Sequence, residues 1–268
     1  MYKLIALDMD GTLLREDKTI SEATKEAIQQ AKNKGVKVVL ASGRPLEGIE
    51  RYLEELNLLS QDDFVVSFNG AIVQRTKTKE IISHITLKGK DLKFLYRLSK
   101  ELGANIHAFS KEGCVTPELT KYSILEGTIN GIDVKVIDYN TIDDNEEIIK
   151  IMMVEEPEIL EKVISQLPAE VYERYTVVRS APYFLEFLNK EANKGAGVEA
   201  LAKELCIDAK EIICVGDAGN DEHMIRYAGL GVAMGNAFEE VKEIADFVTK
   251  TNDEDGVAYV INKFILEA

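Results

Sequence analysis

The stretch Leu4-Ile5-Ala6-Leu7-Asp8-Met9-Asp10-Gly11-Thr12 constrains this chain more than any other. Four apolar residues in a row, with no polar residue alternating, read as a short strand buried on both faces. Such strands belong to parallel sheets covered by helices on each side. The run ends in two carboxylates at i and i+2, which an extended chain turns to the same side. Gly11 then lets the backbone leave the strand sharply. Two like charges on one face repel unless a cation or a shared proton relieves them. A lone Asp there would be a cap or turn former, whereas Asp-x-Asp-Gly-Thr after a doubly buried strand points to a functional site.

The same βα pattern continues. Ser21 stands where a helix N-cap belongs, with only a partial capping box because Thr24 occupies the third position after it. Ala23, Ala27, Ile28 and Ala31 recur at helical spacing up to Lys34, and Gly35 ends the helix. Val36 to Leu40 is a second apolar run, leading into Ala41-Ser42-Gly43-Arg44-Pro45. A strand, helix and strand of these lengths make a right-handed βαβ unit, so Asp8 and Ser42 share the carboxyl edge of neighbouring strands. A helix over about 46–56 and the strand Phe64–Ser67 follow, then the turn Asn69-Gly70 and a hairpin leaving the first domain. From there the pattern becomes α+β, with more alternation in its strands, as in an antiparallel sheet with one open face. Strands are expected at 105–109, 147–154 and 171–178, and Tyr183 to Leu188 reads as the strand returning to the core. Pure βα alternation resumes at Lys194-Gly195. The buried strand Ile212–Val215 ends in Gly216-Asp217-Ala218-Gly219-Asn220-Asp221. Ligands of open α/β sheets bind at this edge.

Charge narrows the partners. The net charge of −15 argues against nucleic acid or an anionic membrane, which both need a basic surface. An anionic substrate must therefore meet a local cation. No apolar stretch approaches about 20 residues, so no transmembrane helix is expected. With the core strand beginning at Leu4, no signal peptide is expected either. Cys114, Cys206 and Cys214 are odd in number and lack metal-type spacing, so reduced thiols and a cytoplasmic location are expected.

Asp8, Asp10, Ser42, Lys194, Asp217, Asn220 and Asp221 converge on one sheet edge in this reading. Several carboxylates without His or thiolate call for a hard cation, naturally Mg2+. A Lys and a hydroxyl beside it suit a phosphate. A carboxylate facing a metal-bound phosphate can attack it, and a second one two residues on can move protons.

Asp8-Met9-Asp10-Gly11-Thr12, Ser42-Gly43-Arg44, Lys194-Gly195 and Gly216-Asp217-x-x-Asn220-Asp221 resemble the four motifs of haloacid dehalogenase-like phosphatases. The Asn69-Gly70-Ala71 turn, the Asn193-Lys194-Gly195 segment and the large insert resemble the Cof-type subfamily, especially its YidA-like sugar-phosphate phosphatases. The resemblance implies an α/β fold: a Rossmann-like parallel-sheet core of residues 1–84 and 188–268 with helices on both faces. Residues 85–187 would form an inserted α+β cap that selects the substrate. It implies Asp8 as nucleophile and metal ligand, and Asp10 as acid/base with its carbonyl on Mg2+. Asp217 would be a further ligand, and Asp221 would order metal-bound water. The Met9 amide, Ser42, Gly43, Lys194 and Asn220 would hold the phosphate of a small phosphorylated metabolite. Two alternatives remain at this stage. A phosphomutase of the same superfamily commonly carries a helical cap after the first strand, where this chain has only Leu14–Ile20. A non-enzymatic phospho-receiver needs neither Asp10 nor a long insert.

Overall fold

The computed structural model describes residues 1–267, and they divide into two compact units, 1–84 with 193–267 and 85–192. In chain order the first unit starts with β1 (Leu4–Leu7), α1 (Glu22–Asn33), β2 (Lys37–Ala41), α2 (Glu50–Glu55), β3 (Phe64–Ser67), β4 (Ile72–Arg75) and β5 (Ile81–His84). The second unit holds β6 (Leu87–Lys88), α3 (Gly89–Leu102), β7 (Asn105–Ser110), β8 (Gly113–Thr116), α4 (Lys121–Asn130) and β9 (Val134–Val136). It continues with β10 (Glu147–Val154), α5 (Pro157–Gln166), α6 (Ala169–Arg174), β11 (Tyr175–Ala181) and β12 (Phe184–Asn189). The first unit then resumes with α7 (Lys194–Glu204), β13 (Ile212–Gly216), α8 (Glu222–Tyr227), β14 (Leu230–Ala233), α9 (Glu239–Ile244), β15 (Phe247–Val248) and α10 (Gly256–Ile261).

The eight strands of the first unit are ordered β15-β14-β13-β1-β2-β3-β4-β5. From β15 to β3 they run parallel, and β4 and β5 add an antiparallel edge. β1 is buried on both faces, as its composition requires. Ile5 and Leu7 join the cluster containing Ile28, Leu40 and Val215, while Leu4 and Ala6 join the one containing Val39, Val198 and Cys214. Ser21 caps α1 by accepting from the Thr24 amide at 3.1 Å, and its hydroxyl meets that of Thr24 at 3.0 Å. Because the chain builds outward from β1 in both directions, the switch in strand order falls between β1 and β13.

The second unit is a seven-stranded sheet ordered β11-β12-β10-β7-β8-β9, with β6 also on β10. One face packs against α3, α5 and α6 through Leu92, Leu95, Leu160, Val163 and Val171. The other face carries buried polar side chains among buried apolar ones such as Phe109 and Phe184. Met152 pairs in register with His107 on one side and Glu186 on the other, and Lys150 forms an ion pair with Glu186 at 3.1 Å.

Three local expectations need correction. The strand near 183–188 does not return to the core: β12 pairs with β10 and β11, so residues 188–192 lie in the second unit. An apolar run shows that a segment is a strand, but not which sheet supplies its partners. Val171 starts no strand, since Pro168 and the helix-favouring Ala169-Glu170 open α6 and extended pairing begins at Tyr175. The helix expected over 46–56 is regular only over Glu50–Glu55. Among the described residues no helix is long and apolar enough to cross a membrane.

Candidate active site

The site forms at the carboxyl ends of β1, β2 and β13. Leu7 is in register with both Leu40 and Val215, and the Asp8 amide donates to the Val215 carbonyl at 3.0 Å. Asp8 therefore stands beside the start of the Gly216-Asp217 turn. Gly11 has φ +86°, and a Cβ there would fall 2.4 Å from Asp217 Oδ2, so a side chain could not pass. Thr12 donates its hydroxyl to Asp217 Oδ1 at 2.8 Å, tying the two motifs together.

Lys194 is the first residue of α7, whose N-cap Asn193 accepts from the Ala196 amide at 2.9 Å. That helix start comes close because Gly70, at φ +89°, has no side chain; a Cβ there would lie 2.0 Å from the Asn193 carbonyl oxygen. The Lys194 side chain is fully buried. Its Nζ lies 2.5 Å from Asp8 Oδ1 and 2.6 Å from Asp221 Oδ1. The second oxygen of Asp221 accepts from the Asp217 and Ala218 amides, both at 3.0 Å. Asp221 thus caps the turn and orients the lysine at once.

Ligand atoms of Asp8, Asp217 and Asp221 all lie within 4.8 Å of one another. Three carboxylates and one ammonium leave a formal charge of −2. Burial, reinforced by Asp221, pushes the Asp8 carboxyl well above its usual range despite Lys194. Burial also raises Asp217, against the bond from Thr12. Lys194 is raised too: burial alone would lower it, and Asp8 and Asp221 more than reverse that. An oxygen-only, crowded and doubly negative cluster fits a hard divalent cation, which would neutralise it.

Around this centre lie the other expected residues. Ser42 is buried, donates its amide to Val66 and accepts from the Arg44 amide at 3.2 Å through Oγ. Asn69, left-handed at φ +54°, donates its amide to the Ser42 carbonyl at 2.8 Å and accepts from Asn220 Nδ2 at 3.0 Å. Its side chain lies against Gly43, so Asn69 joins the second motif to the fourth. The Met9 side chain is buried in the core, so only its backbone can serve the site. Asp10 stands apart from the acidic cluster. Its carboxylate is taken by Arg44 and Lys18. Burial alone would raise it, but Lys18 and Arg44 hold it below the usual carboxylate range.

Lys18 and Asn236, whose Nδ2 donates to the Gly11 carbonyl at 2.8 Å, had no assigned place in the sequence reading. Thr12, Arg44 and Asn69 did lie inside quoted motifs, which was the available signal.

Comparison with known proteins identifies the family. The family model for haloacid dehalogenase-like hydrolases matches residues 5–261. The chain is 44% identical over 268 residues to YxeH of Bacillus subtilis (strain 168), covering 99% of each. It is 31% identical to the 5-amino-6-(5-phospho-D-ribitylamino)uracil phosphatase YcsE of the same organism, covering 98% of this chain and 96% of that one. A haloacid dehalogenase-like hydrolase from Bacteroides thetaiotaomicron superposes with a TM-score of 0.87 at 35% identity, over 99% of this chain and 100% of that one. The subclass IIB sugar phosphatase BT4131 does so with a TM-score of 0.80 at 26% identity, over 98% of each.

Proposed function

Because this chain belongs to the haloacid dehalogenase-like hydrolases and is a phosphatase of that family, we propose that it hydrolyses small phosphorylated metabolites, sugar or polyol phosphates, using Mg2+ and an aspartyl-phosphate on Asp8. The observation that carries this reading is the buried Asp8–Lys194–Asp221 arrangement, with Asp217 at its side. The sugar phosphatase and ribityl-phosphate phosphatase among its relatives support the substrate class.

Asp8, Asp217 and the Asp10 carbonyl would hold the cation, with Asp221 behind them. When bound, Mg2+ supplies charge neutralisation at the phosphate and lets an anion approach an anion. The ammonium of Lys194 holds one Asp8 oxygen, and the other would attack the phosphorus. Attack by that oxygen forms the P–O bond as the bond to the leaving group breaks, and Asp10 gives the leaving oxygen its proton. The Asp10 carboxylate then takes a proton from water as the water attacks the phosphorus, freeing Asp8. Lys194, the Ser42 hydroxyl, the Asn220 amide and the backbone at Met9 and Gly43 would bind the phosphate oxygens throughout. The second unit, residues 85–192, would select among leaving groups, a role the catalytic groups themselves cannot supply.

A panel of phosphorylated metabolites assayed with and without Mg2+ tests this. Release of phosphate that requires the cation and is abolished by Asp8→Asn is expected. Turnover unaffected by Asp8→Asn would remove the covalent step. A phospho-receiver is no longer a competing reading, since the chain is a phosphatase, and the chain's short Leu14–Ile20 loop leaves nothing to favour a mutase.

A further inference from the structure

The loop 234–238, which follows β14, bonds to both of the loops that carry Asp8 and Asp217. At its start the Met234 amide donates to the Gly216 carbonyl at 2.9 Å, and at its end the Phe238 amide donates to the Asp217 carbonyl at 3.1 Å. Between them Asn236 donates from Nδ2 to the Gly11 carbonyl at 2.8 Å. One short segment thus spans from the Gly216-Asp217 turn to the Asp10-Gly11 turn. Asn236 is exposed, so packing does not choose the orientation of its amide. Asn252 chooses it: the Asn252 backbone amide donates to Asn236 Oδ1 at 3.0 Å, which leaves Nδ2 as the atom facing Gly11. The Asn252 side chain also donates to the Leu14 carbonyl at 2.9 Å. Its own loop is tied to the same segment, since the Gly235 amide donates to the Lys250 carbonyl at 2.9 Å.

The turn that Asn236 holds is only loosely fixed by its own residues. The Thr12 amide closes it on the Met9 carbonyl at 3.3 Å, with Gly11, its third residue, at φ +86°, as a type II turn requires. Glycine has little conformational preference of its own. The spacing between the Asp8 and Asp217 loops therefore rests on two ties, the Thr12 hydroxyl on Asp217 at 2.8 Å and the 234–238 loop. Spacing matters to a cation held between loops. Mg2+ takes oxygens at about 2.0–2.1 Å in near-ideal octahedral geometry, whereas Ca2+ accepts about 2.3–2.6 Å and irregular shells. A spacing held fixed can suit the first, and a spacing free to widen loses that preference.

We propose that Asn236, oriented by Asn252, is a positioning residue that fixes the spacing of the Asp8 and Asp217 loops and so makes the cation site selective for Mg2+ over Ca2+. The inference rests on the reading of the acidic cluster as a cation site.

The test titrates the metal-free full chain with Mg2+ alone and with Ca2+ alone, by calorimetry, for wild type, Asn236→Ala, Asn252→Ala and Ala27→Gly. Asn236→Ala should weaken Mg2+ binding roughly tenfold, the low end for groups behind metal ligands, and Ca2+ binding by less than about threefold. Asn252→Ala should move the ratio the same way but less, because Asn236 can still reach Gly11 in one of its two orientations. Ala27→Gly lies inside α1, lowers stability without touching these loops, and should leave the ratio at the wild-type value. Without any cation, hydrogen exchange at the Thr12 and Leu14 amides should quicken more in Asn236→Ala than in Ala27→Gly. Equal weakening of both cations, a ratio that falls as far in Ala27→Gly, or exchange no faster than in that control would overturn the proposal. A wild-type chain that binds neither cation would overturn the cation reading itself, and the proposal with it.

Discussion

Lys194 Nζ lies 2.5 Å from Asp8 Oδ1, although 186 residues separate the two in the chain. The pair is buried, and the ammonium is the cation that the fold itself supplies to the acidic cluster. Lys194→Met should therefore destabilise the metal-free protein at pH 7 by about 3–5 kcal/mol, the usual cost of leaving buried charge uncompensated. The loss should shrink at low pH. Asp8 is already raised in the folded state by burial and by Asp221, and without Lys194 it rises further. A raised carboxyl gives stability fully present below the unfolded value near 4 and lost as pH climbs through the folded one. Thermal melts of mutant and wild type from pH 4.5 to 8 should diverge as pH rises; a constant gap would count against this account.

Asp217 contributes repulsion that the cation relieves. Asp217→Asn should raise metal-free stability and weaken the stabilisation by Mg2+, which for wild type is about 2.7 kcal/mol at a hundredfold excess over Kd. Thermal melts in which Mg2+ shifts both proteins equally would refute the assignment of Asp217 as a ligand.

The raised Asp8 and Asp217 also predict a pH-dependent metal affinity. Both carboxyls hold protons more tightly in the folded apo protein than free carboxyls do, and the cation must displace what they hold. Affinity for Mg2+ should rise from pH 5 to pH 8, with net proton release at the acid end. Calorimetry in two buffers of different ionisation enthalpy measures this, and uptake of protons on binding would contradict it.

Asp10→Asn should separate the two half-reactions. With an activated aryl phosphate, the first step should survive in part, while the second slows by roughly 10²–10⁴-fold for want of a base. One burst of product per site should appear, then a stall with phosphate held on Asp8. Asp8→Asn should show no burst. Rapid mixing with phosphoenzyme trapping decides, and normal turnover by Asp10→Asn would rule out its role.

Exchanging residues 85–192 for the equivalent segment of another family member should change the ranking of metabolite substrates. Hydrolysis of a small aryl phosphate should persist, since every proposed chemical group lies in the first unit. A folded, Mg2+-binding chimaera that keeps the original ranking would show that selection resides elsewhere.

Within the second unit, Lys150 and Glu186 form a buried ion pair at 3.1 Å, and Glu186 Oε2 has no hydrogen-bond partner among the described residues. Lys150→Met alone should destabilise by about 3–5 kcal/mol, whereas Lys150→Met with Glu186→Leu should recover most of that. Urea unfolding of the single and double mutants checks it; equal losses would mean that the charges are not coupled.

The sequence alone determined the sheet of the first unit and the residues at its carboxyl edge. Apolar runs at Leu4–Leu7, Val38–Leu40 and Ile212–Val215 can be buried only between two layers of helices, and each ends in polar residues at fixed short spacing. These are local properties of the chain, so Asp8, Ser42 and Asp217 could be placed together without coordinates. Only the tertiary structure decided which partners each charge meets. Asp10 pairs with Arg44 across 34 residues, Asn220 meets Asn69 across 151, and Lys150 finds Glu186 across 36. It also decided that β12 belongs to the second sheet. Pairings of this kind depend on how separate segments pack, and burial turns a contact that water would screen into one that governs charge and geometry.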